Sequence, residues 1–494
     1  MNPRALIPVT APIDETDDSP LHGFWWFKRI IILSIFFIVF VLGAWFWLNH
    51  RAEKRLAVEI EQWKLEGIPL EAPKLDQPFV ADEENAAVVL MNAVHSLGDM
   101  TEWYKLDNDD AFTKFPWSAE ALAFMDKTTA INQKALAGLR AARNLKKIKW
   151  NDDGSDEVDS LMRDPYRSEL ERIHQLAMLT ESTAMAAHLR GDDTAVLEYL
   201  HDLQFIAEAL AQHPHIQARR VTSRVDWVAA RMIGSIGNEL RINTPALRTE
   251  IKARMARWLN PDRLAPKWLA VLQEGRMVRA FFDKPDSLTM FRNLTESERK
   301  WADALTWTLL SPNRMNCEVE LLRLARSRVH AARESNWPAA LNRLPRSPKR
   351  TTIRTQVEPL LRVTRFEFPF GDYGLEFCFS QEMHVKIAVI RLACRLYAID
   401  HRGSPPNTLA ELVPDYLPAI PINPLDPNNG IFRIHTATTQ PFIYGLGIST
   451  DLVAGGAWLP TLAQHENYNS SIFVSFLDPH PAPSTTRPTT VPAR

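Results

Sequence analysis

Apolar residues are spread unevenly along this chain. The densest run covers residues 24–48, FWWFKRIIILSIFFIVFVLGAWFWL, and from Ile30 to Leu48 it carries neither charge nor proline. At about 1.5 Å per residue those positions make a helix of roughly 28 Å, close to the ~30 Å hydrocarbon core of a bilayer. Trp25 and Trp26 stand at one end, Trp45 and Trp47 at the other. Tryptophan at both ends is the belt pattern of a transmembrane helix. A cleaved signal peptide has a shorter apolar run and a small-residue cleavage site. Here Gly43-Ala44 runs straight into Trp45-Phe46. A buried core helix would show a polar face. The pattern predicts a retained single-pass anchor over 24–48, preceded by a polar tail over 1–23.

Beyond the anchor the apolar period becomes helical. Leu56, Ile60 and Trp63 share one face, so the anchor continues as a juxtamembrane helix to Gly67-Ile68-Pro69, with a linker from there to residue 80. A further helix is expected to start near Asp82, with Ala86, Val89, Leu90, Ala93 and Val94 as its stripe. From 118 to about 258 the sequence reads as almost entirely helical, broken by a solvated loop at 151–156, within an all-helical domain over 81–312. Arg190-Gly191-Asp192-Asp193 ends one helix with glycine and opens the next with an aspartate cap. Segments 169–189 and 194–212 are therefore a hairpin, Leu170, Ile173, Leu176, Ala177 and Thr180 facing Leu197, Leu200, Leu203 and Ile206. Further helices are expected over 262–282 and 295–310. Period-two alternation at 351–355 and 365–368, and again over 430–448 and 471–476, predicts strands. The last residues, 479–494, are rich in Pro, Thr, Ser and Arg and read as a disordered tail.

Residues 315–345 lie on 383–413 with a shift of 68 and no gap. Met315 meets Met383, Arg323-Leu324-Ala325 meets Arg391-Leu392-Ala393, and Pro338, Leu341 and Leu344 meet Pro406, Leu409 and Leu412. Each copy reads as a long helix, a polar break and a proline-led short helix whose two leucines fold back on the long one. The fold class expected is mainly α: a transmembrane helix, a helical-hairpin body and a small α+β module over 313–478 built on this duplication.

The second copy and the residues beyond it, over about 383–456, resemble the globular module of the type II secretion major pseudopilin. The stretches that carry the likeness are Leu396-Tyr397 to Gly403, Thr408-Leu409-Ala410-Glu411-Leu412-Val413-Pro414, Ile420-Pro421-Ile422-Asn423-Pro424 and Tyr444-Gly445 to Asp451 with Gly455-Gly456. The resemblance implies a long helix packed on a small sheet and a calcium loop to which Asp451 and Asp426 would contribute. Asn423 stands where that family has aspartate, and one or two carboxylates are few for calcium, so no metal is expected. Gly23-Phe24 is similar to half of the family's cleavage motif, but Lys28 replaces its glutamate, so processing is not expected. The whole chain also looks like membrane-anchored helical envelope proteins.

The 494 residues carry 57 Lys and Arg against 59 Asp and Glu, and the net charge of −2 gives no basic stripe for nucleic acid. Apart from the anchor and the tail, about 430 residues remain, enough for two or three cores. Cys317, Cys378 and Cys394 include no CxxC pair; buried free thiols are expected, with one bridge left open. Positive charge does not settle orientation, since Lys28 and Arg29 face Arg51, Lys54 and Arg55. A short tail before a large body is the signal-anchor layout, which places the body on the extracytoplasmic side.

Candidate chemistry is sparse. There is no GxSxG, Walker loop, GxGxxG or HExxH. His213 and His215 flank Pro214 without a third ligand. Arg190-Gly191-Asp192 reads as a helix joint, and 107–110 and 152–159 as solvated acidic loops. Arg219-Arg220 and Lys146, Lys147 and Lys149 read as exposed helix faces, and Trp227, Trp258, Trp268, Trp301 and Trp307 as core. No catalytic, cofactor or metal residue is singled out. The function expected is a membrane-anchored scaffold or interaction protein of the cell envelope, in contact with lipid and a protein partner, its oligomeric state open. The alternatives are a pilin-like component of a secretion or assembly apparatus, and an anchored hydrolase with a dispersed site.

Overall fold

The computed structural model describes residues 21–68, 70, 80–98, 100, 115–150, 164–213, 216–260, 275–276, 278–279, 311–344, 371–426, 428–435, 442–447 and 471–476. The protein is mainly helical. Its helices are α1 (Leu21–Leu65), α2 (Ala86–His95), α3 (Ala119–Ile131), α4 (Gln133–Arg143), α5 (Asp164–Leu189), α6 (Asp193–Ala211), α7 (Ile216–Ile236), α8 (Pro245–Trp258), α9 (Ser311–Ala332), α10 (Trp337–Arg343) and α11 (Gly371–Asp400). Short 3-10 turns cover Asp82–Glu84 and Leu409–Leu412, and the strands are β1 (Arg433–His435), β2 (Phe442–Gly447) and β3 (Ser471–Phe476). Two compact units divide the chain, one of residues 1–58 and 285–319, the other of 59–284 and 320–494.

In the first unit the apolar part of α1 is bare. Ile30 to Val41 present large side chains more than two-fifths exposed, and the most apolar 18-residue window has a mean hydropathy of 2.7 with none of it buried. A helix apolar all round and unburied is long enough to cross a bilayer. The Arg29 guanidinium lies 3.3 Å from the Trp25 ring centre, and Arg51 lies 5.4 Å from that of Trp47. Past the apolar run the start of α9 meets α1. Ser311 Oγ lies 2.6 Å from Asn49 Oδ1, and Arg55 Nη1 donates to Asn316 Oδ1 at 3.2 Å.

The second unit is built of hairpins. Leu189 to Asp193 turns through Gly191, whose φ of 85° is the left-handed region that glycine enters without a Cβ penalty. Asp192 then caps α6, accepting from the Ala195 N–H at 3.0 Å. All nine hairpin positions expected to face one another are buried. Each leucine so buried contributes about 1.5–3 kcal/mol relative to exposure. Helix α7 packs against α5, α6 and α11, so the hairpin's outer layer is the long helix of the second repeat copy. Helix α2 packs on α4 at Gly138, where a Cβ would stand 2.9 Å from the Ala93 Cβ, so the close approach needs glycine.

Several expectations are corrected. Asp82–Glu84 form a 3-10 turn, not the first turn of α2. The helix starts four residues later, at Ala86, because Asn85 Oδ1 accepts from the Ala87 N–H at 3.1 Å. Lys146, Lys147 and Lys149 are not on a helix face. α4 ends at Arg143, and Asn85 ties the next segment down, donating to the Lys149 carbonyl at 2.7 Å while Lys147 bridges it in parallel. In the second repeat copy the short helix is a 3-10 turn opened by Thr408, with Pro405 and Pro406 ahead of it rather than in its first turn. In the first copy Leu341 is 39% exposed, so the two leucines fold back together only in the second, where Leu409 and Leu412 are buried.

The strand pair over 430–448 is present as β1 and β2, antiparallel with Ile434 opposite Ile443, and β3 pairs β2 with Tyr444 opposite Val474. All three cysteines are free thiols, Cys378 and Cys394 buried. The linker over 71–79, the loop 151–156, the strands at 351–355 and 365–368, Asp451, Gly455-Gly456 and the tail 479–494 lie outside the described residues. So do most of 262–282 and all of 295–310.

Candidate functional site

Acidic, basic and imidazole groups gather at five places, four buried in part and one open. At the turn between α5 and α6, His188 Nδ1 lies 2.6 Å from Asp193 Oδ1, and its Nε2 lies 3.6 Å from Glu239. Asp193 Oδ2 accepts from the Arg241 N–H at 2.6 Å, and Arg395 of α11 donates to the Leu240 carbonyl at 2.9 Å. Burial alone would push the imidazolium down. The hydrogen bonds and charges of Asp193 and Glu239 outweigh it and push it up to about 9. Burial opposes the Asp193 carboxylate too, but His188 and the Arg241 N–H override it and hold that carboxyl below its ordinary value.

Nine residues on, Asp202 of α6 is 1% exposed. Arg143 Nη1 donates to it at 2.8 Å, and Arg140 Nε stands 3.5 Å away. Arg143 also reaches Glu198 Oε2 at 2.6 Å. Burial pushes Asp202 up to about 6 against the pull of Arg143 and Arg140. Beside it, burial and the Arg254, Arg143 and Arg257 charges push the His201 imidazolium down to about 3.

In the middle of α5, Glu181 is 2% exposed and takes a two-pronged hydrogen bond from Arg231 Nε and Nη2, at 2.8 and 2.5 Å. That guanidinium also lies 4.5 Å from the Trp227 ring centre. Burial and the Arg224 and Arg231 charges push His174 down to about 4. A fourth cluster joins the end of α1 to α9. Glu59 meets Arg323 and Arg326, each at 3.1 Å, and Glu66 meets Arg326 at 3.1 Å and His330 at 2.9 Å.

The open feature is a groove of about 690 Å3 at the end of α11, lined by Tyr397, Asp400, His401, Arg402, Ser404, Pro405 and Asn407. The Tyr397 and His401 rings stack 3.8 Å apart. Tyr397 donates to Glu411 at 2.6 Å, and Glu411 Oε1 accepts from the Thr408 N–H at 2.9 Å, closing a capping box. Asp400 takes a hydrogen bond from Tyr416 at 2.8 Å and pairs with Arg248. Burial and the Asp400 hydrogen bond push the Tyr416 hydroxyl up to about 12. The groove's acid and its tyrosine are thus committed to internal partners. Its rim carries His401, Arg402, Ser404 and Asn407.

Residues singled out in the sequence are scattered among these places. His213 is buried with its ring 4.4 Å from Trp150, and His215 lies outside the described residues. Arg190 pairs with Asp126 beside the Gly191 turn. Asp426 Oδ1 accepts from the Asn428 N–H at 2.8 Å, and Asn423 from the Leu425 N–H at 3.0 Å, so both act as local turn-formers. Among the described residues no three His, Cys, Asp or Glu side chains stand where they would hold a metal ion. The His188–Asp193 and Asp202–Arg143 clusters are not signalled by any motif. The one hint in the chain is an acid and an imidazole five residues apart across a glycine turn. No family model, curated protein or solved structure matches this chain.

Proposed function

We propose that this is a single-pass, membrane-anchored scaffold or protein-interaction protein of the cell envelope, with its folded body on the extracytoplasmic side. The observation that carries the reading is the bare apolar length of α1, with aromatic rings and arginines paired at both ends. Helix hairpins stacked side by side offer broad surfaces to partner proteins, and an anchor holds such surfaces beside a membrane. Protease accessibility on intact cells, with a tag at the C-terminus, tests it. Loss of the tag without lysis is the expected result. Survival of the tag until lysis places the body in the cytoplasm and overturns the envelope role.

A second reading, a pilin-like component of a secretion or assembly apparatus, is favoured by one feature. The order of α11, the Leu409–Leu412 turn, the proline-rich crossover and the antiparallel strands is similar to the pseudopilin module. A mass loss matching cleavage between Gly23 and Phe24 would support it, and an intact N-terminus would end it.

A further inference from the structure

We infer that the end of the anchor where α9 joins α1 is a binding site for anionic phospholipid headgroups, formed by Arg51, Lys54 and Arg55. The inference rests on the anchor reading and adds a ligand class to it. Counting from Leu48, the last residue of the apolar run, Arg51, Lys54 and Arg55 lie three, six and seven positions on. That is about 4.5, 9 and 10.5 Å along the helix axis. The headgroup layer is roughly 5–8 Å deep on each side of the hydrocarbon core. Long basic side chains reach several ångströms back towards it along the helix. The three residues are exposed and spaced i, i+3, i+4, so they share one face of α1.

Two contacts make this more than a basic stretch on a lone helix. Ser311 at Asn49 places the first turn of α9 beside the end of the apolar run of α1, and Asn316 holds the Arg55 guanidinium in position. Arg51 is itself steadied by the Trp47 ring at the interface. The one acid on this stretch, Glu53, accepts a hydrogen bond from Asn49 Nδ2 at 2.6 Å. Three exposed cations on one face of α1 against one acid, braced by the start of α9, fit a phosphate-bearing headgroup of net negative charge and disfavour a zwitterionic one.

The test uses the full chain in phosphatidylcholine bilayers carrying a trace of spin-labelled phosphatidylglycerol or phosphatidylcholine. The fraction of each label immobilised against the protein is read. The expected result is a preference of about threefold or more for phosphatidylglycerol. It should fall close to one in R51Q/K54Q/R55Q, hold in the charge-keeping R51K/R55K, and largely hold in K28Q/R29Q at the other end. Equal association of the two lipids with the unmodified protein overturns the inference. So does a preference that survives R51Q/K54Q/R55Q or disappears with K28Q/R29Q. Extraction of the protein by alkaline carbonate is scored separately, because it overturns the anchor itself, whereas a resistant protein without lipid preference loses only the headgroup site.

Discussion

Helix α6 carries two buried aspartates nine residues apart, and the protein treats them oppositely. Asp193 sits in the first turn, where helix N–H groups and a neighbouring imidazolium favour its charge, and its carboxyl is held low. Asp202 sits at mid-helix, 1% exposed, with an arginine at 2.8 Å, yet burial lifts it to about 6. The difference is one of hydrogen-bond supply. Asp193 receives a backbone N–H on one oxygen and His188 on the other, while Asp202 has guanidinium groups alone. An arginine at contact distance does not by itself replace the water a carboxylate gives up.

Mutations break this contrast in graded fashion. Asp202→Ala should destabilise most, by roughly 3–5 kcal/mol in urea melts, because Arg143 then loses its buried partner and keeps only the more exposed Glu198. Asp202→Asn should cost less than half as much, since an amide oxygen still accepts from Arg143; equal costs would show that charge rather than hydrogen bonding decides. Asp193→Ala should lose about 2–3 kcal/mol, orphaning the Arg241 N–H and one face of His188.

The pH dependence sharpens the contrast. His188 is raised from 6.5 to about 9, so its contribution is full below pH 6.5 and is lost as pH rises through 9. Stability should fall by about 2 kcal/mol between pH 7 and 9.5 in the unmodified protein and stay flat in His188→Gln. Asp202 is also raised, so its contribution is present below pH 3.8 and is lost as pH rises through about 6. Asp193 is lowered, so its contribution is present above pH 3.8 and is lost as pH falls through its folded value. Difference curves for Asp202→Asn and Asp193→Asn should therefore slope in opposite directions in acid. The smallest effect is expected of Arg140→Gln, below about 1 kcal/mol by thermal melt, because that side chain is 42% exposed and stands 3.5 Å from Asp202.

Legibility in the chain divides along the same physics. Apolar periodicity locates the hairpin, because a facing leucine and its burial are one cause seen twice. The glycine and aspartate at 191 and 192 mark the turn because backbone geometry demands those side chains. The start of α2 is misread from sequence because three acids and an asparagine compete for the cap, and asparagine wins through a hydrogen bond to a segment 64 residues away. The buried clusters are invisible for a related reason. Arg143 and Asp202 are ordinary helix-surface residues until α4 and α6 are laid together. The two repeat copies show the limit of pattern matching, since Leu341 and Leu409 align in sequence but differ in burial.

The cluster of Glu59, Glu66, Arg323 and Arg326 joins residues about 260 positions apart in the chain. At typical synthesis rates of about 5–20 residues per second, the end of α1 leaves the ribosome roughly 13–50 s before its partner helix exists. Throughout that interval Glu59 and Glu66 stay in water beside a completed apolar segment. The anchor is thus made long before it is capped, so any factor that receives the nascent chain meets α1 with its acidic face still open.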